Sequence, residues 1–111
     1  MEKTLIFGTG KMEQEIATKV VVLVIVEAIR ILEEGDQTAE AIDKIVVLGM
    51  NLKKGPLQLA DEIGLDVVKE CLEQLYEETK LYKYRPCKLL NDMVYSGYLG
   101  CKAKRGFYQY E

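Results

Sequence analysis

The chain has 111 residues, of which 49% are hydrophobic and 30% are charged, and its formal net charge is -3. This profile is typical of one globular domain with its own core rather than of a disordered chain. The slight negative charge excludes a general attraction to nucleic acid. The longest apolar run, residues 20–26, is far shorter than the roughly 20 residues needed to cross a bilayer. We expect no nucleic-acid or membrane partner and, because the charged opening MEK does not resemble a secretory signal, a cytoplasmic protein.

The first predicted element is one long helix from Glu13 to Glu34, closed by Gly35 as a C-terminal cap. Its middle, VVVLVIV, is apolar on every side and rich in β-branched residues, so propensity alone favours a strand. The residues that follow indicate a helix, because their apolar side chains recur at i, i+3, i+4 and i+7. A helix that is apolar on every side must pack against other elements on two flanks, and a small domain has few elements with which to do this. We therefore expect self-association; a helix wrapped entirely by its own chain is the alternative.

Two shorter helices are predicted next. Thr38 is expected to cap a helix over residues 39–48 that stops at Gly49. The side chains expected to share one face of this helix are Ile42, Ile45 and Val46. Pro56 suits the first turn of a third helix, which is expected to end near Gly64.

The fourth predicted helix runs from Val67 to Thr79 with Asp66 as its cap, and it has the clearest amphipathic pattern of the chain. Its apolar stripe consists of Val67, Val68, Cys71, Leu72, Leu75 and Tyr76.

A fifth helix is predicted after Pro86, ending at Gly97. The tail beyond Gly97 is rich in glycine and lysine and has no predicted element. Phe107 and Tyr108 are expected to anchor this tail against the bundle.

The sequence contains three cysteines and no histidine. Cys71, Cys87 and Cys101 are widely spaced, lack a CxxC pair and have no histidine to complete a tetrahedral ligand set. We therefore expect no metal site and reduced thiols, with an intermolecular disulfide as the alternative.

Five motifs occur along the chain: EAIRILEEG (27–35), AEAIDKIVVLG (39–49), GPLQLADEIGLD (55–66), YRP (84–86) and LGCKAKRGFYQY (99–110). Together they resemble the C-terminal helical domain of the 3-hydroxyacyl-CoA dehydrogenase family. The resemblance implies an all-α, five-helix domain over residues 13–111, with a 6-phosphogluconate dehydrogenase C-terminal domain-like fold. In that family, this domain supplies the dimer contact and closes one side of the acyl-CoA cleft, while NAD binds a separate domain that carries a histidine base.

The segment TLIFGTGKMEQEIA (4–17) is similar to the first strand and phosphate loop of that nucleotide-binding domain. Gly8 and Gly10 match the first two glycines of its GxGxxG fingerprint, but Glu13 stands at the third. A carboxylate at that turn would repel a pyrophosphate. We interpret residues 1–12 as a remnant of the nucleotide-binding segment and expect no NAD or other cofactor.

Candidate site residues follow from the resemblance. The register through EAIRILEEG places Thr18 where the family has an asparagine that helps to position the reacting groups, and Gly55 and Pro56 are further candidates for substrate contact. General acid–base catalysis needs a group with a pKa near working pH, and without histidine none is evident. Asp61 and Asp66 are suitable by residue type, but helix-end capping and solvation are the favoured interpretation, so no catalytic residue is assigned.

A basic cluster lies near the C-terminal end of the chain and could attract CoA phosphates, although a solvated basic face is the simpler interpretation. Its members are Lys83, Arg85, Lys88, Lys102, Lys104 and Arg105. The predicted function is a stand-alone, non-catalytic dimerisation or acyl-CoA-contacting module, forming a homodimer. The alternatives are a subunit that completes a 3-hydroxyacyl-CoA dehydrogenase in trans with a separate NAD-binding chain, and a truncated product that folds without a role.

Overall fold

The computed structural model describes the backbone of residues 11–111 and the side chains of residues 14–111. Most of the predicted remnant, residues 1–10, lies outside this range, whereas Lys11 and Met12 belong to the first helix. Five α-helices follow in chain order: α1 (Lys11–Glu34), α2 (Ala39–Met50), α3 (Pro56–Ile63), α4 (Leu65–Thr79) and α5 (Lys88–Tyr95). Short 3-10 helices occur at Tyr82–Tyr84 and Cys101–Ala103. The all-α prediction is confirmed for the described residues, and none of their helices is long and apolar enough to span a membrane.

Helix α1 forms the centre of the bundle and contacts each of the other four helices. The helical interpretation of the VVVLVIV stretch is confirmed, and Ile25 and Ile29 are fully buried. The helix ends at the predicted place, where Gly35 has a φ of +91°. Cover by its own chain is incomplete, because Ile16 and Val20 near its start are 58% and 56% exposed.

Helix α2 begins as predicted, with the Thr38 hydroxyl accepting a hydrogen bond from the Ala41 N–H at 3.1 Å. The predicted stop at Gly49 is wrong, because the helix continues to Met50 and is closed by Asn51 in a left-handed conformation. The face predicted for Ile42, Ile45 and Val46 is only partly buried, since the Ile45 side chain is 63% exposed. Ile42 and Asp43 are the buried residues of α2, and turning Asp43 inward turns Ile45 toward solvent.

Helices α3 and α4 meet at Gly64, whose φ of +106° allows α4 to start at the next residue. Asp66 therefore lies in the first turn of α4, and its predicted role as the cap is wrong. Its carboxylate pairs with the Lys102 ammonium at 2.7 Å. This ion pair ties α4 to the C-terminal tail.

The tail beyond α5 is compact although it contains no long element. Antiparallel bridges join Gly100 to Arg105 and Arg105 to Gln109. The predicted anchoring by Phe107 and Tyr108 is confirmed, since both side chains are partly buried against the hydrophobic core. The tail therefore completes the bundle on the side of α3.

Candidate functional site

Asp61 is fully buried on α3 and binds the C-terminal tail. Its Oδ1 atom accepts a hydrogen bond from the Phe107 N–H at 2.9 Å, and its Oδ2 atom accepts one from the Tyr108 N–H at 3.0 Å. The Tyr110 hydroxyl donates a third bond to Oδ2 at 2.6 Å. The expected role in helix-end capping and solvation is wrong, because Asp61 lies one turn after Leu57 on the inner face of α3.

Asp43 performs a parallel task for the start of α3. Its carboxylate accepts hydrogen bonds from the Leu57 N–H at 2.8 Å and the Gln58 N–H at 3.0 Å. Gly55, the N-cap residue of α3, has no side chain with which to do this, so α2 supplies the cap. A carboxylate at a helix N-terminus is also favoured by the helix dipole. The Tyr108 hydroxyl donates to the same carboxylate at 2.7 Å and so links the two acidic sites.

Glycine is required where the chain approaches these carboxylates. A Cβ atom on Gly55 would lie 2.2 Å from the Asp43 Cγ atom, and one on Gly106 would lie 2.2 Å from the Asp61 Oδ1 atom. At Gly100 a Cβ atom would lie 2.3 Å from the Asp61 carbonyl oxygen. Close packing therefore explains why the third and fifth motifs contain glycine at these three positions.

Asp43 is absent from the sequence-based candidates, although its position carries a signal. It stands one turn after Ala39 and next to Ile42, on the side of α2 that faces the core. An acidic side chain at such a position needs donors around it. Its donors belong to residues 57, 58 and 108, and the spacing of these residues along the chain does not reveal that they lie near Asp43.

The two tyrosines of this network are held as proton donors. Burial and the hydrogen bond to Asp43 raise the pKa of Tyr108 far above its ordinary value of 10.0. Burial and the hydrogen bond to Asp61 raise the pKa of Tyr110 in the same way. Both phenols therefore stay protonated near neutral pH and act as hydrogen-bond donors to the two buried carboxylates.

The structure places the three predicted substrate residues on different cavities. Thr18 lines an open cavity of ≈ 330 Å³ between α1 and α4, together with Lys19 and Cys71. Gly55 lines a second cavity of ≈ 490 Å³ beside Asp43 and Tyr108. Pro56 lines a third. Substrate contact remains a prediction for all three residues.

The third cavity is an open groove of ≈ 540 Å³ between α1 and the α2–α3 connection, hereafter the apolar groove. Its lining is aliphatic except for two lysines and consists of Val20, Val21, Val24, Ile25, Met50, Leu52, Lys53, Lys54, Pro56 and Leu59. Val20 and Met50 are each 56% exposed, and Ile16 extends the same face of α1 by one turn. Exposed apolar surfaces of this kind are common at interaction sites.

The basic cluster is divided among separate partners. Lys88 pairs with Asp92 at 2.8 Å and Lys102 with Asp66. The Arg105 guanidinium lies 4.2 Å from the centre of the Tyr98 ring. Each of these cations is engaged by its own neighbour, which favours the solvated basic face over a shared anion site.

The cysteines show no sign of reactive chemistry. All three are free, with Cys87 buried and Cys71 and Cys101 partly buried. Burial raises the pKa of both the Cys71 and the Cys87 thiols, so the reactive thiolate is disfavoured. Within residues described by the structure, no group of three His, Cys, Asp or Glu side chains could hold a metal ion.

The fold and the two carboxylate sites define the class of protein. It is an all-α domain in which one buried acidic side chain joins the start of α3 to α2 and another joins the C-terminal tail to α3. The chain belongs to the family described as 3-hydroxyacyl-CoA dehydrogenase, C-terminal domain, whose model matches residues 16–110. The family predicted from the five motifs is confirmed.

Similar proteins give the same assignment. The "Probable 3-hydroxybutyryl-CoA dehydrogenase" of Bacillus subtilis is 47% identical over 96 residues, which cover 86% of this chain and 33% of that protein. Among solved structures, the (S)-3-hydroxybutyryl-CoA dehydrogenase of Ralstonia eutropha superposes with a TM-score of 0.82 at 45% identity, over 85% of this chain and 33% of that chain. FadB2 of M. tuberculosis gives 0.81 at 43% identity, over 84% and 33%. The chain thus spans about a third of the length of the curated relatives it matches.

Proposed function

We propose that this chain acts as a non-catalytic self-association module, in which the C-terminal helical domain of a 3-hydroxyacyl-CoA dehydrogenase forms a homodimer. The apolar groove is the observation that carries the proposal. A non-catalytic role is supported by the composition, since the 111 residues contain no histidine. It is also supported by the tyrosines at the buried carboxylates, whose raised pKa keeps them protonated.

The dimer contact is assigned to the first half of α1 and the α2–α3 connection. Ile16, Val20, Met50 and Leu52 are all exposed there, whereas Ile25 and Ile29 in the second half of α1 are fully buried by the chain itself. Two copies that meet through this face in a symmetric arrangement would each bury the same side chains. The gain comes from removing aliphatic surface from water, at roughly 25 cal/mol per Å².

A single substitution in the groove tests this contact. Val20→Lys places a charge in the apolar surface at a position that is already half-exposed, so the fold should be retained. Tyr95→Lys on α5 is the matched control, since Tyr95 is 94% exposed and is not part of the groove. Size-exclusion chromatography with light scattering should show a dimer for the native chain and the control, and a monomer for Val20→Lys. A monomeric native chain at concentrations on the order of tens of micromolar would refute the proposal.

A second candidate function is supported by the Thr18 cavity. The chain would complete a 3-hydroxyacyl-CoA dehydrogenase in trans, docking onto a separate NAD-binding chain and presenting Thr18 toward an acyl-CoA. The length of the relatives fits this proposal, because the chain matches about a third of each. Co-purification with such an NAD-binding chain distinguishes this function from homodimerisation alone.

Calorimetry separates the possible ligands. Acetoacetyl-CoA and NADH are titrated separately into the purified chain. Heat with acetoacetyl-CoA would support acyl-CoA contact, and no heat is expected with NADH, because Glu13 replaces the third glycine of the fingerprint. Binding of NADH would contradict the interpretation of residues 1–12 as a remnant.

A further inference from the structure

The cavity beside Asp43 combines cations with hydrogen-bond donors and is hereafter the lysine cavity. It lies between α2, the start of α3 and the end of the C-terminal tail, and its volume is ≈ 490 Å³. Sites that hold small organic molecules have volumes of roughly 300–1,000 Å³. The polar side chains that surround its opening belong to Lys44, Lys53, Lys54 and Gln109.

The lining of the lysine cavity is positive although the whole chain is negative. Three lysines against one aspartate give the lining a formal charge of +2, whereas the chain carries -3. Lys54 pairs with Glu62 at 2.7 Å. Within residues 14–111, neither Lys44 nor Lys53 forms an ion pair, so their ammonium groups are available to a ligand. The basic cluster near the C-terminal end differs in this respect, because its cations are engaged by their own neighbours.

Asp43 determines where an anion can lie in this cavity. Its carboxylate accepts hydrogen bonds from the Leu57 N–H, the Gln58 N–H and the Tyr108 hydroxyl. It therefore occupies the backbone donors at the start of α3 that would otherwise attract a phosphate. Asp43 is only 7% exposed, whereas the lysines and Gln109 are exposed. An anion would thus lie at the mouth of the cavity, among the ammonium groups and the Gln109 side-chain amide.

We propose that the lysine cavity binds a phosphate monoester carried by a small organic molecule. A monoester has a charge of about -1.5 to -2 at pH 7, which matches the charge of the lining. Lysine is a common phosphate ligand that acts as a point charge on a flexible stem. The partly buried rings of Tyr108 and Tyr110 provide a wall for the organic part beside the phosphate.

The lysine cavity is distinct from the apolar groove, although Lys53 and Lys54 line both. Lys44 and Gln109 line only the lysine cavity, and Val20 lines only the groove. The aliphatic stem of a lysine can cover apolar surface while its ammonium group points to an anion. Both contacts are therefore compatible in one molecule, and the inference does not rest on the proposed dimer.

The test measures the binding of small probes to the full chain. Inorganic phosphate, AMP and adenosine are titrated separately into isotope-labelled chain, and the chemical shifts of the backbone amides are followed. The double variant Lys44→Gln/Lys53→Gln removes the two lysines of the cavity that form no ion pair. Lys80→Gln/Lys88→Gln is the matched control, since it removes the same charge from exposed lysines outside the cavity. Circular dichroism confirms that the helices of both variants are intact.

We expect inorganic phosphate and AMP to produce saturable shifts at residues 44, 53 and 109, with a Kd on the order of 1 mM, and adenosine to produce none. The cavity variant should bind about tenfold more weakly, and the control should stay within about twofold of the native chain. Equal losses in the two variants would overturn the inference, because net charge alone would then attract the probes. Shifts that do not saturate by about 20 mM, or adenosine binding as tight as that of AMP, would also overturn it.

CoA and dephospho-CoA distinguish the sources of the phosphate. Dephospho-CoA keeps the pyrophosphate of CoA but lacks its terminal monoester. Several-fold tighter binding of CoA would support the inference and identify the CoA monoester as a ligand. Binding of AMP without binding of CoA would support it with a smaller phosphate ester as the ligand. Equal binding of CoA and dephospho-CoA would overturn recognition of the monoester, whereas the proposed dimer is judged separately by light scattering.

Discussion

The closest approach between the tail and α3 gives the sharpest prediction. In Gly106→Ala the added Cβ atom would lie 2.2 Å from the Asp61 Oδ1 atom, whereas ordinary contacts are 3.4–4 Å. Asp61 is fully buried, so either its carboxylate or the tail must be displaced. Both displacements break the hydrogen bonds from the Phe107 N–H, the Tyr108 N–H and the Tyr110 hydroxyl.

The size of the effect follows from those three bonds. A lost partner for a buried polar group costs about 1–3 kcal/mol, so three bonds at the lower end give about 3 kcal/mol. With a urea m-value near roughly 1.5 kcal/mol/M, the unfolding midpoint should fall by about 2 M. The assay is urea unfolding followed by circular dichroism at the helix band.

Gly49→Ala is the matched control, because it is the same substitution inside α2 with no atom within 4 Å of the new Cβ. It should leave stability unchanged or raise it by about 0.5–1 kcal/mol. In an Asp61→Ala background, Gly106→Ala should cost clearly less than in the native chain, since the carboxylate is gone and only the 2.7 Å approach to the Gly100 Cα atom remains. A Gly106→Ala midpoint within about 0.5 M of the native chain, or full additivity with Asp61→Ala, would refute the reasoning.

Two further predictions concern the same network. Asp43→Ala should lower the free energy of unfolding by about 3 kcal/mol, because α3 loses its cap and the Tyr108 hydroxyl loses its acceptor. Asp36→Ala, at an exposed position, is the control and should change the free energy of unfolding by no more than about 0.5 kcal/mol in the same urea titration. Raising the pH should destabilise the native chain more steeply than Tyr108→Phe. The folded pKa of Tyr108 lies above the unfolded value of 10.0, so this stability is fully present below pH 10 and is lost as pH rises beyond it. The melting temperatures of the native chain and of Tyr108→Phe are measured from about pH 8 to 11. If both fall with pH in parallel, the pKa of Tyr108 is not raised in the folded state.

Elements with strong local signals were predictable from the sequence. Gly35 and Gly64 mark helix ends because each adopts a positive φ, and Thr38 caps α2 with its own hydroxyl. The stop at Gly49 failed for a physical reason. A glycine inside a helix is tolerated when the residues after it continue the helix, and here Asn51 provides the left-handed end.

The errors at Asp61 and Asp66 and the unexpected exposure of Ile45 have a different cause, which is that long-range partners determine where these side chains lie. Asp66 pairs with Lys102, 36 positions away, and Asp61 binds residues 46 to 49 positions away. Ile45 is exposed because Asp43 takes the inner face of α2. No local pattern of charge or hydrophobicity records which distant N–H group a carboxylate will meet.

These long-range contacts also explain what the five motifs have in common. The Glu33 carboxylate in the first motif accepts a hydrogen bond from the Leu89 N–H at the start of α5. The Arg30 guanidinium donates to the Arg85 carbonyl oxygen, which joins the first motif to the fourth at 2.9 Å. Asp43 joins the second motif to the third, and Asp61 joins the third to the fifth. The signature is therefore a set of mutual contacts between segments, and a chain that keeps it keeps the fold.

The Thr18 cavity and the apolar groove, both proposed above for binding, lie mostly outside that signature. Thr18 precedes the first motif, and the groove residues Val20, Val21 and Val24 do so too. Met50 and Leu52 lie between the second motif and the third. Substitutions at the exposed positions Val20, Met50 and Leu52 change the surface of the domain, and none of the hydrogen bonds that join the motifs involves these side chains. The motifs that establish family membership therefore account for the fold, whereas activity and partners have to be tested experimentally at Thr18 and at the apolar groove.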